Sequence, residues 1–386
     1  QKIDSEQFGF SKYNVEPVGS GPYKIANLKK DNAGIPKYYD FVPFKKFTLD
    51  GPYITNIRMR FYSNTDALLK AFEDGEVESI NSISPKIAEN LNIQGYRVER
   101  TPLPRVFGVF FNQNQAKIFT NKIVRQALNK AVDKKKIVND VLYGYATVIN
   151  SPVPPGTLGY KGPAKEAEFI SSKERVAYAK KLLEDDGWKF DEEKKVMIKK
   201  TKKETSELSF SISTSEIPEL KEVANALKEE WEKIGARVEV KIFEIGSLNQ
   251  NVIRPRKYDI LLFGEIIGRG SDLFAFWHSS QRLDPGLNIA LYANITVDKL
   301  LEDARKITDI DKRVAKYEAF QNEIASDMPA IFLYSPDFIY VLPKKIKGVE
   351  LSNATTPSER FLNVANWYIE TNRVWKIFVK DPTTNK

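Results

Sequence analysis

The chain has 386 residues, and its 59 lysines and arginines against 51 acidic residues give a formal net charge of +8. The absence of cysteine and the single histidine, His278, exclude disulfides, thiolate metal sites and cysteine nucleophiles, and disfavour zinc hydrolases and histidine-dependent triads. The length predicts two or three domains. No segment approaches the roughly 20 uncharged apolar residues that a membrane-spanning helix needs.

The positive charge does not predict a nucleic-acid partner. The lysine-rich segment 189–203 also contains Asp191, Glu192 and Glu193, and a mixed run of this kind is typical of a solvated loop or a hairpin tip. A surface that follows a phosphate backbone would show segregated basic residues with aromatic residues between them.

The first half of the chain carries helices with clear end signals. A short helix begins at 65–66 and ends at Gly75, and the segment 76–80 is predicted to be the strand after it. A longer helix is predicted over 122–143, with Gly144 as its stop. The capping-box sequence at 171–174 begins another helix, which ends at Gly187.

The segment 208–264 predicts a strand–helix–strand unit followed by a buried strand. Apolar and polar residues alternate over 208–212 and again over 238–242, with an amphipathic helix from Pro218 to Gly235 between them. The apolar run 258–263 fits a strand that is covered on both faces. This succession favours parallel strands with a right-handed crossover, and hence an α/β fold.

Two further helices are predicted near the C-terminal end, over about 297–307 and 312–325. Thr296 and Asp311 are their predicted N-caps.

Several collinear segments together resemble the family 5 extracellular solute-binding proteins, which are the oligopeptide-, dipeptide- and nickel-binding receptors of ABC importers. The most specific match is Phe110-Phe111-Asn112 followed by Ile123-Val124-Arg125-Gln126-Ala127-Leu128. The similarity covers roughly residues 17 to 368. Its other segments are Gly19-Ser20-Gly21-Pro22-Tyr23, the sequence LLKAFEDGEVE at 68–78, Ala131-Val132-Asp133, the loop 151–156, Gly187-Trp188, Trp231-Glu232-Lys233-Ile234-Gly235, Lys257-Tyr258-Asp259 and Met328-Pro329.

The resemblance implies a bilobal fold like that of the type II, peptide-binding periplasmic proteins. One lobe would hold 1–111 with 345–386 and the other 112–344, with a hinge near 111–112 and 343–345. The family usually has 150 or more residues before the Gly-Ser-Gly-Pro-Tyr element, and 18 precede it here. We therefore expect the first lobe to be incomplete, and a missing N-terminal segment or a second chain to complete it. The apolar tail from Glu370 is expected to form a packed strand or a partner contact.

The resemblance also implies a function without covalent chemistry. The chain would be the extracytoplasmic solute-binding component of an ABC importer, closing its lobes on a peptide or another small solute and presenting it to the membrane permease. It would lie in the periplasm or at the cell surface, anchored to the membrane through a segment outside this sequence. The alternative is a structural or interaction protein that kept the fold and lost ligand binding. A hydrolase that uses Glu265 and Asp272 is a third hypothesis.

The loop after the predicted strand 258–263 is the candidate ligand site, because ligands of open α/β sheets bind beyond the carboxyl ends of the strands. Glu265, Arg269 and Asp272 supply its charges. In peptide-binding relatives an acidic residue of this loop pairs with the peptide α-ammonium, and Arg269 falls at or next to that position, which favours an anionic or neutral ligand. Glu265 or Asp272 is the alternative ammonium partner. Arg269 and Asp272 could instead form an ion pair that stabilises the loop.

Aromatic residues are the remaining candidates. Phe107 and Tyr334 flank the predicted hinge segments and could form apolar walls of a cleft, and Trp277 follows the candidate loop. Aromatic residues in such patterns are more often part of the core, and that is the alternative for each of the three. No cofactor and no metal site is predicted.

Overall fold

The computed structural model describes residues 11–162, 171–202, 204–268, 270, 272–352 and 354–369. As far as they are described, the segments Gln1–Thr101 and Phe338–Lys386 form one compact unit and Pro102–Asp337 forms another. The strands are β1 (Tyr23–Lys30), β2 (Pro36–Pro43), β3 (Ile57–Arg60), β4 (Ile80–Asn81), β5 (Arg97–Pro102), β6 (Arg105–Phe111), β7 (Ala146–Val148), β8 (Lys189–Asp191), β9 (Val196–Lys200), β10 (Thr205–Glu207), β11 (Ser209–Ser215), β12 (Arg237–Phe243), β13 (Ile260–Ile266), β14 (Ala330–Leu342), β15 (Ile346–Lys347) and β16 (Tyr368–Ile369). The helices are α1 (Thr65–Glu73), α2 (Pro85–Ile93), α3 (Lys122–Ala131), α4 (Lys134–Asp140), α5 (Ser172–Asp185), α6 (Pro218–Lys233), α7 (Ile245–Ser247), α8 (Phe274–Trp277), α9 (Ile295–Lys306) and α10 (Ile310–Asp327).

In the unit that contains the first strands, β1, β2 and β3 form an antiparallel sheet. The end of β14 pairs with β4, and β15 pairs with β16. The predicted strand over 76–80 is wrong for most of its length. The backbone amides of Glu76 and Val77 bond back to the carbonyl of Ala71, which closes the end of α1 and leaves only Ile80 and Asn81 extended.

The sheet of the Pro102–Asp337 unit has the strand order β12-β11-β13-β6-β14, with β7 beside β14. Strand β11 runs parallel to both β12 and β13, as the predicted strand–helix–strand unit requires. Strand β6 is antiparallel to β13 and to β14. The α/β class is therefore confirmed, and β13 lies in the interior of the sheet.

Two apolar clusters cover the two faces of this sheet. The first contains the apolar stripe of α6, from Leu220 to Trp231, and the Trp231 indole also donates a hydrogen bond to the carbonyl of Leu128. The second contains the inner faces of α9 and α10 and is centred on the fully buried Trp277. Since each face of β13 meets one cluster, its residues 260–262 are completely buried.

The predicted helix over 122–143 is two helices, α3 and α4. Asp133 adopts an extended backbone conformation between them, and its carboxylate accepts a hydrogen bond from the amide of Lys136 as the N-cap of α4. It also forms an ion pair with Arg175 of α5 at 2.8 Å. Apolar spacing continues across the break, so the pattern alone did not reveal it. Arg125 is structural, because its guanidinium donates hydrogen bonds to the carbonyls of Phe119, Asp327 and Met328.

The other differences from the predicted elements are small. Within the lysine-rich segment, β8 and β9 form an antiparallel sheet with β10, in agreement with the hairpin interpretation. The N-caps of α9 and α10 are Asn294 and Asp309, each two residues before the predicted cap. The tail from Glu370 lies outside the described residues.

Candidate ligand-binding site

Strand β13 carries the candidate loop. It extends to Ile266 rather than ending at 263, because its antiparallel pairing with β6 continues through Glu265↔Val106 and Ile266↔Arg105. The amide of Ile267 then bonds to the carbonyl of Pro104, and the chain turns at Gly268 with φ of +70°. Such a backbone conformation favours glycine.

The sequence suggested that Glu265 lies in the loop at an exposed mouth. In the structure it lies inside strand β13. Only 4% of the residue is exposed, and neither carboxylate oxygen has a hydrogen-bond partner among the described residues. Burial raises the pKa of the Glu265 carboxyl well above its usual value, because a charge is poorly solvated there. An unpaired carboxyl of this kind gains strongly from any cation or donor placed beside it.

Asp272 has a strong partner within the protein. Its carboxylate receives hydrogen bonds from Nε of Arg305 at 3.1 Å and from Nη2 of Arg305 at 2.6 Å, and it also accepts from the amide of Phe274. Partial burial acts to raise the Asp272 pKa, but the hydrogen bonds from Arg305 and Phe274 outweigh it and the pKa is lowered. The loop-stabilising ion pair therefore uses Arg305 of α9. Arg269, the other predicted partner, lies outside the described residues.

Arg305 and His278 both stack on Phe274. The guanidinium carbon of Arg305 is 3.7 Å from the Phe274 ring centre, and the His278 ring is 4.0 Å from it at an interplanar angle of 17°. Two planar groups this close to one ring centre must occupy its opposite faces. His278 is held in turn by the Ser280 hydroxyl at 2.8 Å and by Glu302 at 3.3 Å. This stack ties α8 and the residue after it, His278, to α9.

Trp277 belongs to the core and not to a surface wall. It is completely buried, and its ring contacts those of Phe110, Tyr292, Phe320 and Phe332. Its indole nitrogen has no hydrogen-bond partner within the described ranges.

Phe107 and Tyr334 form a stacked pair, with ring centres 5.1 Å apart and planes at 5°. Phe107 pairs across the strands with Gly264 on one side and Tyr334 on the other. A Cβ at Gly264 would stand 2.6 Å from the Phe107 ring, so the glycine makes room for this ring. Burial raises the pKa of the Tyr334 hydroxyl, and the residue is 2% exposed.

Strand alternation separates the predicted site residues into two groups. Phe107 and Tyr334 face the first apolar cluster, whereas Glu265 pairs with Val106 of the second cluster, to which Trp277 also belongs. Successive residues of a strand point to opposite faces of the sheet. The carboxyl of Glu265 is therefore on the side of Trp277 and away from the Phe107–Tyr334 pair.

The sequence reasoning missed Arg305 and Phe274. A weak signal existed for Arg305, since basic residues are favoured in the last turn of a helix and α9 ends with Arg305 and Lys306. Nothing in the sequence indicated that this arginine reaches Asp272, which is 33 residues away.

Within the described ranges, no helix combines the length and the apolar character needed to cross a bilayer. Nor do these ranges hold a group of three or more histidine, aspartate or glutamate side chains arranged to bind a metal ion.

Comparison with known proteins gives matches along most of the chain. Residues 2–282 match the family model described as bacterial extracellular solute-binding proteins, family 5 middle. The oligopeptide-binding protein AppA of Bacillus subtilis is 27% identical over 358 residues, which cover 92% of this chain and 62% of AppA. A dipeptide-binding protein of Pseudomonas aeruginosa is 23% identical, with the same two coverages. The chain thus spans about three fifths of the length of these relatives.

Solved structures show the same fold. CtaP of Listeria monocytogenes, an ABC transporter substrate-binding protein, superposes with a TM-score of 0.76 at 22% identity, covering 95% of this chain and 70% of CtaP. Bacillus subtilis AppA, solved with a nonapeptide, gives 0.64 at 24% identity, covering 95% and 69%. The fold is thus that of the peptide-binding periplasmic proteins that the sequence resembles. The chain belongs to the family 5 bacterial extracellular solute-binding proteins.

Proposed function

We propose that this chain is the solute-binding component of an ABC importer, that it binds a peptide or a similar small solute, and that it leaves the solute chemically unchanged. Membership of family 5 supports the class of function. The relatives named as oligopeptide- and dipeptide-binding proteins support a peptide as the solute. The same membership favours this function over a structural or interaction protein.

The single observation that carries the proposal is the buried, unpartnered carboxyl of Glu265 near the end of β13. In a poorly solvated site, a carboxylate is stabilised by a cationic donor within hydrogen-bond distance. The α-ammonium group of a peptide is such a donor. Asp272 is less suited to this role, because Arg305 already binds both of its oxygens.

We do not propose a catalytic role for these carboxylates. A hydrolase that used Glu265 and Asp272 as its acid and base would need both carboxyl groups to reach the substrate. The Asp272 carboxylate is already held by Arg305 in an ion pair, so it is not free to act on a substrate. The relatives are also named as binding proteins, which favours a function without catalysis.

Partners, location and lobe movement are part of the same proposal. The expected partner is an ABC permease, and the expected location is outside the cytoplasmic membrane with a membrane anchor. Capture by closure of two lobes, 1–111 with 345–386 and 112–344, stays a prediction, as does the role of Arg269 toward an anionic ligand.

The experiment compares the full chain with its Glu265→Gln variant. Binding is measured by isothermal titration with a mixed pentapeptide library that has free N-termini, and with the same library after N-acetylation. We expect acetylation and Glu265→Gln each to weaken binding at least about tenfold, the scale of one lost charge-assisted hydrogen bond. Asp272→Asn is the matched control in the same segment and should leave the affinity within about twofold.

Two results would contradict the proposal. Equal binding of acetylated and free peptides would rule out the proposed contact between the peptide ammonium group and Glu265. Failure to bind any member of a panel of peptides, sugars and metal chelates would support the interaction-protein alternative. Glu265→Gln replaces a buried ionisable group by a neutral one of the same shape, so we expect the variant to fold.

A further inference from the structure

A cavity of about 540 Å³ lies in the unit that contains β5 and β15, and it is lined by Arg97, Lys344, Lys347 and Gly348. Among the described residues that line it, Arg97, Lys344 and Lys347 carry a positive charge and none carries a negative one. A concave site with convergent cations favours a ligand with several negative oxygens.

The fold holds the guanidinium of Arg97 in place from two sides. Its Nε donates to the Glu99 carboxylate at 2.7 Å, and its Nη1 donates to the backbone carbonyl of Ile346 at 2.6 Å. These contacts join β5 to β15 and use only part of the donor fork. An arginine fixed in this way loses little side-chain entropy when it binds an anion.

Lys344 brings a second charge to the cavity from a different element. It is exposed, and among the described residues no hydrogen bond or ion pair engages its ammonium group. Its Nζ lies 4.0 Å from the position that a Cβ would take at Gly95, just beyond the end of α2. The negative C-terminal end of that helix attracts a cation, which explains the position of the Lys344 ammonium group. It does not explain why Arg97 and Lys347 also line the cavity.

Gly348 lines the cavity at a fixed turn. Its φ is +72°, and a Cβ there would stand 2.3 Å from the carbonyl oxygen of Asn366. Its own carbonyl accepts a hydrogen bond from the Asn363 side chain. The backbone on this side of the cavity is therefore held at a position where a larger residue would not fit.

We propose that this cavity is a binding site for a phosphate-bearing anion. A phosphate group carries close to two negative charges and presents several acceptor oxygens, which match an arginine fork and two lysines better than a single carboxylate does. Such a phosphate can come from a free phosphorylated solute or from the headgroup of an anionic lipid. The cavity residues belong to the unit of Gln1–Thr101 and Phe338–Lys386, and Glu265 belongs to the Pro102–Asp337 unit.

The test uses the full chain at constant ionic strength. Inorganic phosphate is titrated by calorimetry, and flotation is measured with phosphatidylcholine vesicles with and without phosphatidylglycerol. We expect saturable binding in at least one arm, weakened at least about fivefold by Lys344→Gln, because the variant loses one charged donor. Binding of phosphate alone assigns a free solute, and binding of the anionic vesicles alone assigns a lipid headgroup.

Lys29→Gln is the matched control, since Lys29 is an exposed lysine of β1 in the same unit. It removes the same charge without touching the cavity and should leave binding unchanged. An equal loss in both variants would show that only the overall charge matters, and the site would be discarded. Absence of saturable binding in both arms would overturn it as well.

Discussion

Glu265 and Asp272 are carboxylates of one strand–loop segment that differ in what surrounds them. Asp272 receives hydrogen bonds from Arg305 and from the Phe274 amide, so its charge is already matched. Glu265 has no such partner in the described part of the chain, and burial penalises its charged form. A carboxyl in this state binds a proton readily and exchanges it for a cationic ligand group.

This exchange predicts that peptide binding depends on pH. In the unbound protein burial holds the pKa of Glu265 above its usual value, and a bound ammonium group would lower it. Binding then releases a proton, so the affinity should rise with pH up to the raised pKa of the unbound Glu265 carboxyl and level off above it, by at most about tenfold per pH unit. Titration calorimetry in buffers of different ionisation enthalpy measures the released proton directly. With Glu265→Gln the dependence should disappear, and its persistence would assign the proton to another group.

The contact between Gly264 and Phe107 makes a second prediction at this scale. Gly264→Ala would place a methyl group 2.6 Å from the Phe107 ring, which is itself stacked on Tyr334. We expect a loss of about 1–3 kcal/mol in the free energy of unfolding, the usual cost of overpacking. Urea unfolding measures it. Gly270→Ala is the control, since no atom of the described residues lies within 4 Å of its added Cβ. Equal stability of the two variants would show that the Phe107 ring moves aside freely.

Among the elements, those with a complete apolar pattern were predictable and those defined by a single polar contact were not. Helix α6 and strands β11 and β12 have clean periodicity between strong end signals, and the structure reproduces them closely. The continuation of β13 to Ile266 was missed because a glutamate argues against a buried strand. The exposure of Glu265 and the partner of Asp272 depend on contacts with β6 and α9, which no local pattern encodes.

The break between α3 and α4 makes a prediction for Asp133. Asp133→Ala removes both the N-cap of α4 and the ion pair with Arg175, and should reduce the free energy of unfolding by about 1–2 kcal/mol. Asp133→Asn retains an oxygen that can accept from the Lys136 amide and loses only the charge. If the cap is the main contribution, the asparagine variant should keep most of the stability in urea unfolding. An alanine variant as stable as the parent would refute the role of the cap.

At the scale of the whole chain, the candidate ligand site and the basic cavity lie in different compact units. The Pro102–Asp337 unit holds the sheet with both apolar clusters, Glu265 and Trp277. The other unit holds the three-stranded sheet of β1 to β3 and the cavity lined by Arg97 and Lys344. A ligand or a mutation at one of these features should therefore act on the stability of one unit.

Trp277→Ala tests this division. It removes a fully buried indole from the second apolar cluster, and cavity formation should cost the Pro102–Asp337 unit about 3–5 kcal/mol. Scanning calorimetry of the full chain should show two transitions, of which only one moves to a lower temperature in the variant. Trp277→Phe keeps most of the apolar volume and should produce a smaller shift of the same transition. An equal shift of both transitions would contradict the division into two units. It would mean that the stability lost in one core is lost by the whole chain, which then unfolds as one cooperative body.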